Sequence, residues 1–273
     1  LKKKIILTGS TGFVGKNLAK YLKKKNINFI KIQTKDILKK NIDYKNISHV
    51  LHVGFDMRKK DTNISTQLKI LENICINAKK NDCKIIFLSS SCYGKFNKRK
   101  LYINNNYQLA KKKCEDYLIK KREIGLNSII LRVFNLYGPG QKRGFIVSDA
   151  IFRINKNKSK TLKLHNHKNK RDFIFIDDLV KAIYKCIMTT ISNRTIEIGA
   201  GKFYSIKFIY DKIQLLLNKK IKYSYKKPYK SKLPLTKAFI QKNKKIIKWE
   251  PKTNIQQGLK LVIKNDEKNC NII

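Results

Sequence analysis

A short apolar run, Lys4 to Thr8 (KIILT), ends in Thr8-Gly9-Ser10-Thr11-Gly12-Phe13-Val14-Gly15, and a helical pattern follows at once. Three glycines at three-residue spacing between a strand and a helix leave few folds open. They make the turn tight and let backbone N–H groups approach a pyrophosphate with no Cβ between. They also let the helix pack closely on the strand. An isolated glycine triplet would be no more than a tight turn; in this setting it signals a bound dinucleotide.

The chain beyond repeats the alternation. Phe29 to Ile32, His49 to Val53, Lys84 to Ser89 and Ser128 to Phe134 read as strands, and Lys16 to Lys25, Asn63 to Asn81 and Tyr107 to Lys121 carry apolar residues at helical spacing. Continuous β-branched runs between helices predict a parallel sheet covered on both faces, with the ligand beyond the carboxyl ends of its strands. After Gly138-Pro139-Gly140 the pattern loosens. Asp172 to Asp178 (DFIFIDD) leads into a helix reaching Met188, Thr195 to Ile198 reads as a strand, and Lys156 to Lys170 reads as a surface loop. The expectation is an α/β, Rossmann-like, doubly wound domain over residues 1–140, with 171–200 crossing back to it. A smaller C-terminal lobe takes 141–170 and 201–273 and binds substrate.

Charge raises a different class of partner. With 63 Lys plus Arg against 18 Asp plus Glu, the 273-residue chain carries +45, the balance of a nucleic-acid or anionic-membrane binder. Only eight of the basic residues are arginine, and lysine is abundant together with Asn and Ile, all three having codons available from A and T alone. A coding bias spread over solvated faces accounts for such a composition as well as a polyanion does. Aromatics are not interleaved with cations along the sequence as a single-strand groove requires. The six cysteines (Cys75, Cys83, Cys92, Cys114, Cys186 and Cys270) form no C-x-x-C pair and read as reduced thiols. No apolar run reaches the roughly 18 residues of a membrane span, so a cytoplasmic protein is expected. His165 and His167 lack a nearby Cys or acid cluster, so no metal is expected there. Asp177-Asp178, just before a helix, fits an N-cap.

Two further patterns carry chemistry. The second strand runs into Gln33-Thr34-Lys35, with Asp36 beyond it, where an acid would bind the adenosine ribose. A neutral residue followed by lysine suits a 2′-phosphate, so NADP is favoured over NAD. Tyr107 and Lys111 stand four residues apart on one helix face. A tyrosine with an ordinary pKa of about 10 becomes a usable proton carrier when a nearby cation favours its phenolate, as hydride exchange at a carbinol or carbonyl requires. Upstream, Phe87-Leu88-Ser89-Ser90-Ser91 ends a buried strand in hydroxyls that can orient a reacting oxygen.

Taken together the chain resembles the extended short-chain dehydrogenase/reductases, the NAD-dependent epimerase/dehydratase family acting on sugar nucleotides. The matching stretches are TGSTGFVG, Asn63 to Glu72, SSSCYG at Ser89 to Gly94, YQLAK with Glu115 one turn on, LRVFNLYGPGQ from Leu131, RDFIFIDDLVKAI from Arg171, IEIGAGKFYSI from Ile196 and WEPKTNIQQGL from Trp249. The resemblance implies Tyr107 as acid/base, Lys111 on the nicotinamide ribose, and Ser89 holding the substrate oxygen, with Ser90 next in line. It places Gly9, Thr11, Gly12, Phe13, Val14 and Gly15 around the pyrophosphate, Gln33 and Lys35 near the adenosine, His52 at a strand end beside the cofactor, Asn135 near nicotinamide and substrate, and Arg171 on the sugar-nucleotide phosphates.

Departures narrow the activity. The dehydratases' Asp-Glu pair is replaced by Ser90-Ser91, Val53-Gly54 stands where the family has two alanines, and the segments 54–63 and 94–107 are short. Cys92 is one place from a functional cysteine of some relatives and reads as packing. The expectation is hydride transfer at C4 of a nucleoside-diphosphate sugar, by 4-keto reduction or 4-epimerisation, with a homodimer as the assembly the family allows. The rival readings are a non-catalytic dinucleotide sensor and a basic nucleic-acid binder, the latter disfavoured.

Overall fold

The computed structural model describes residues 4–55, 63–91, 105–157, 159, 161–225 and 237–270. Of these, the residues within 1–133, 180–198 and 241–249 form one compact unit, and those within 134–179, 199–240 and 250–273 form a second. The bounds shift from those expected from sequence: the first unit ends at Val133, the returning stretch runs from Val180 to Ile198, and residues 241–249 rejoin the first unit.

The first unit is built on a six-stranded sheet. Its first strands and helices are β1 (Lys4–Thr8), α1 (Phe13–Lys24), β2 (Phe29–Ile32), β3 (Ile47–His52), α2 (Ile64–Lys80), β4 (Lys84–Ser90), α3 (Asn106–Arg122) and β5 (Ser128–Val133). A 3-10 turn, Thr34–Asp36, follows β2. Every pairing in this sheet is parallel, and the Rossmann-like α/β class expected from the alternation is what the structure has. Ile5, Ile6 and Leu7 are all buried, as a strand covered on both faces requires. Helix α2 buries Ile70, Leu71, Ile74, Cys75 and Ala78, a stripe at helical spacing, and Asn63 caps it by accepting the Thr66 N–H at 3.0 Å. This stripe packs with Val50, Ile85, Phe87, Cys114, Leu118 and Ile130.

The chain then forms β6 (Asn135–Tyr137), α4 (Ile146–Asn155), β7 (Thr161–Leu164), β8 (Lys170–Arg171), β9 (Phe173–Phe175), α5 (Ile176–Met188), β10 (Arg194–Ile198), β11 (Tyr204–Ser205), α6 (Ile206–Leu216), β12 (Lys222–Tyr225), α7 (Ile240–Ile247) and α8 (Ile255–Cys270). Strand β10 pairs with β5 and completes the sheet in the order β10-β5-β4-β3-β1-β2. Its winding reverses between β1 and β3, and in doubly wound sheets ligands bind beyond the carboxyl ends of the strands at such a reversal.

The second unit carries three small pairings: β6 with β9, β7 with β12, both parallel, and β8 with β11, antiparallel. Tyr137 anchors it, edge-on to Phe175 at 5.5 Å and Phe173 at 6.3 Å. Two sequence expectations change here. Residues 161–164 form a strand rather than loop, with Leu162 and Leu164 buried and Thr161 and Lys163 exposed. Asp177 and Asp178 lie inside the first turn of α5, not before it. Asp178 Oδ2 accepts the backbone N–H groups of Thr253 at 2.8 Å and Lys252 at 3.2 Å, so that carboxylate ties down the chain ahead of α8.

Candidate active site

The glycine turn closes on itself before it meets any ligand. Gly9 is left-handed at φ 69° and its carbonyl accepts the Gly12 N–H at 3.0 Å. A Cβ on Gly15 would stand 2.1 Å from the Gly9 oxygen, and one on Gly9 would stand 2.3 Å from Gly54 Cα, so the turn after β1 and the bend after β3 touch backbone to backbone. Gly12 caps α1 with no side-chain hydrogen bond and no acid follows in the first turn. The N–H groups at that end therefore remain for an anion. Phe13 and Val14 are half-buried there, and Thr11 is exposed.

At the end of β2, Gln33 and Lys35 are exposed, and Asp36 faces Lys40 across 3.5 Å. Thr34 turns inward: a Cβ on Gly54 would meet its Oγ1 at 2.3 Å. His52, at the end of β3, is 1% exposed, with Nδ1 at 2.8 Å from Thr8 Oγ1 and the ring stacked on Phe87 at 5.7 Å. Burial, helped by the Lys111 charge, lowers its pKa from 6.5 to about 3, so the imidazole is neutral. The side chain expected beside the cofactor is thus a buried, neutral imidazole at the end of its strand.

The serines divide by strand alternation. Ser89 is buried with Phe87 and Ile85 on one face of β4, and its hydroxyl donates to Glu115 Oε2 at 3.0 Å. The other oxygen of Glu115 accepts from Arg132 Nε at 2.9 Å and from Nη2 of the same guanidinium. Arg132 is the register neighbour of Ser89 across β4 and β5. Ser90 ends the strand and Ser91 follows it, both half-buried. Sequence reasoning did not single out Arg132 or give Glu115 a role. The available signal was a glutamate four residues after Lys111, on a helix face that had to be buried.

Helix α3 brings the rest. Asn105 caps it, accepting the Gln108 N–H at 2.9 Å, so Tyr107 lies in the first turn, where the helix dipole favours an anionic oxygen. Lys111, one turn on, is 3% exposed, and its ammonium donates to the Leu88 carbonyl near the end of β4. It stands 3.9 Å above the ring of Phe55 and 4.7 Å from that of Phe87. Phe55 also meets the Tyr107 ring edge-on at 5.6 Å. A phenol and an ammonium one turn apart, beside the end of a strand bearing hydroxyls, are equipped to move one proton to or from a substrate oxygen. The structure thus brings Tyr107, Lys111 and the strand-end serines to neighbouring elements of the first unit.

That unit matches a known family over most of its length. The profile described as "NAD dependent epimerase/dehydratase family" matches residues 5–199, the glycine turn, the Tyr107–Lys111 helix and β10 included. The chain belongs to that family. Among curated relatives, a UDP-glucuronate 4-epimerase of Thermodesulfobacterium geofontis is 31% identical over 153 residues, 55% of this chain and 46% of that protein. A dTDP-4-dehydro-6-deoxyglucose reductase of Escherichia coli is 27% identical over 97% of this chain and 98% of its own length. The solved structure of RMD from Pseudomonas aeruginosa, complexed with NADPH, superposes with a TM-score of 0.84 at 17% identity, over 98% of this chain and 99% of that one. The fold is therefore that of the extended short-chain dehydrogenase/reductases, and the protein is an NAD(P)-dependent enzyme of the epimerase/dehydratase family. The turn described above fits a nicotinamide dinucleotide: the N-terminus of α1 is uncapped by side chains, and at Gly12 a Cβ would meet only the Gly9 oxygen, at 3.4 Å, which leaves the backbone there open to a pyrophosphate.

Two expected site residues belong to the second unit. Asn135 donates from its backbone N–H and from Nδ2 to the carbonyl of Asp172, at 3.1 and 2.8 Å. Arg171 is half-buried in β8, its Nη1 donates to the Lys170 carbonyl at 2.9 Å, and burial lowers its pKa. Asp172 holds the turn that follows β10: its carboxylate accepts the N–H groups of Ala200, Gly201 and Ala238 at 2.7, 2.9 and 2.9 Å. Cys92, Tyr93 and Gly94 lie outside the described residues. Burial pushes Cys75 and Cys186 up to about 12 and Cys114 to about 11, so these thiols are packing rather than nucleophiles. Among the described residues no three His, Cys, Asp or Glu side chains cluster as metal ligands, and no helix is long and apolar enough to cross a membrane.

Proposed function

We propose that this enzyme transfers hydride at C4 of a nucleoside-diphosphate-linked sugar, by 4-keto reduction or 4-epimerisation, with Tyr107 as the acid/base. The observation that carries the reading is the Tyr107–Lys111 pair at the start of α3, with the lysine drawn to the end of β4 by the Leu88 carbonyl. A bound nicotinamide supplies the hydride. Tyr107 gives its phenolic proton to the sugar oxygen in reduction and takes one in oxidation, while Lys111 and the amino end of α3 favour the phenolate. The oxygen-orienting role expected of Ser89 passes to Ser91, since the Ser89 hydroxyl already donates to Glu115 and Ser91 lies two residues further on, just past the end of the strand. Ser90 adds a second hydroxyl.

Gly9, Thr11, Gly12, Phe13, Val14 and Gly15 cradle the pyrophosphate in this reading. Gln33 and Lys35 favour NADP over NAD, because β2 ends without an acid and Asp36 faces a lysine of its own. Asn135 and Arg171 contribute to holding the nucleoside diphosphate. The relatives named for sugar-nucleotide epimerases and reductases support the substrate class.

A fluorescence titration with NADH and NADPH, followed by turnover on a panel of nucleotide sugars and their 4-keto forms, tests the proposal. Tyr107→Phe is expected to lower turnover about 10²-fold or more while cofactor binding persists. Failure to bind either cofactor, or unchanged turnover in Tyr107→Phe, would overturn it. Cofactor that stays with the protein until denaturation indicates epimerisation; stoichiometric consumption of NADPH indicates reduction.

A further inference from the structure

Lys111 poses a problem that the Tyr–Lys pair alone does not solve. An ammonium that is 3% exposed has lost most of its hydration, and a buried cation keeps its proton only where other groups replace that water. One replacement is the Leu88 carbonyl. Another is aromatic: the Phe55 ring lies 3.9 Å from Nζ, closer than that of Phe87 at 4.7 Å. Both distances are well inside the range in which a ring face attracts a cation.

Phe55 is also the ring that meets Tyr107, at 5.6 Å and 82° between planes, so it touches both members of the pair. Its position follows from the bend after β3. Gly54 packs its backbone on Gly9, and the residue after it is delivered toward α3.

We propose that Phe55 is a positioning residue for the proposed acid/base pair: its ring face holds the Lys111 ammonium charged and in place while its edge contact fixes the Tyr107 ring beside it. The inference rests on the proposed function for its catalytic meaning, but its physical content is independent of any bound molecule. Without the ring face the ammonium is less favoured and less restrained. The phenolate of Tyr107 then loses part of the charge that supports it.

The test uses the full chain with lysine labelled with carbon-13 at Cε. In the ligand-free protein the Lys111 methylene protons are expected at an upfield, ring-shifted position, assigned by their disappearance in Lys111→Arg. Phe55→Tyr keeps the shift; Phe55→Leu and Phe55→Met, which fill similar volume without a π face, move the signal toward the bulk lysine position. In parallel, the pH at which oxidation of a nucleotide sugar is half-maximal is expected to rise by about one unit in Phe55→Leu or Phe55→Met and to stay in place in Phe55→Tyr. An unshifted Lys111 signal in the wild type, or a pH profile indifferent to the loss of the ring, overturns the proposal. If the ring shift is found and no nucleotide sugar is turned over by the wild type, the proposed function fails and the Phe55–Lys111 contact stands.

Discussion

At the scale of single residues, burial decides which polar groups act and which are spent on structure. His52 is held neutral down to about pH 3, whereas an unfolded chain protonates the same imidazole at about 6.5. Between those values the unfolded state binds the extra proton, so stability falls as the pH drops from about 6.5 toward 3, by about 1.4 kcal/mol per pH unit. Urea unfolding at pH 7, 6 and 5 is expected to show this slope in the wild type and a flatter one in His52→Leu; equal slopes would show that His52 does not carry the linkage. Ser89 teaches the same lesson for recognition from sequence. The hydroxyls at the end of β4 were legible as a group, but which one is spent on Glu115 depends on the face that each presents to α3, and a run of three serines carries no mark of that. Phe55 was invisible for a similar reason: its neighbours Tyr107 and Lys111 are half a hundred residues away in sequence and arrive through sheet order.

At the scale of elements, two of the contacts that join the pieces of the first unit can each be cut. Glu115, 1% exposed at its side chain, links α3 to β4 through Ser89 and to β5 through Arg132. Removing one member leaves a buried charge uncompensated, so Glu115→Ala is expected to cost about 3–5 kcal/mol in chemical denaturation. The double variant Glu115→Leu/Arg132→Met is expected to regain most of that loss, because no unpaired charge remains; a double variant as unstable as the single would show that the pair stabilises in its own right. The second contact is the backbone meeting of Gly9 and Gly54. Gly54→Ala forces a methyl to 2.3 Å from Thr34 Oγ1 and to 3.0 Å from the Gly9 nitrogen. The expected outcome is a loss of about 1–3 kcal/mol together with weakened dinucleotide binding. Adding Thr34→Ala is expected to restore part of both, read by thermal melting and cofactor titration. The glycines of the turn were recognisable from spacing alone, whereas Gly54 stood out only as a departure from a family pattern, and its steric reason needed the register of β1 with β3.

At the scale of the whole molecule, the six central strands and the helices between them were readable because long periodic stretches bury wide apolar faces. The short pairings β8 with β11 and β7 with β12 were not, since two to four residues rich in lysine and tyrosine offer little pattern, even where Leu162 and Leu164 alternate with exposed neighbours. The net charge of +45 acts at this scale too, as a field that favours anionic ligands and is screened beyond about 8 Å at physiological salt. Association with NADPH, followed by stopped-flow fluorescence, is expected to slow as salt rises from 20 to about 300 mM, and more steeply than association with the less charged NADH. Equal salt dependence would remove the field from the account. The order of synthesis follows from the position of β10. Strand β5, Ser128–Val133, has its second neighbour only when Arg194–Ile198 arrives, roughly 60 residues later. Until a ribosome has delivered that stretch, the nascent sheet carries an open edge of isoleucine and leucine, the kind of edge on which another chain can template. A growing chain of this protein is thus open to such templating from the time Val133 has emerged until Arg194–Ile198 follows.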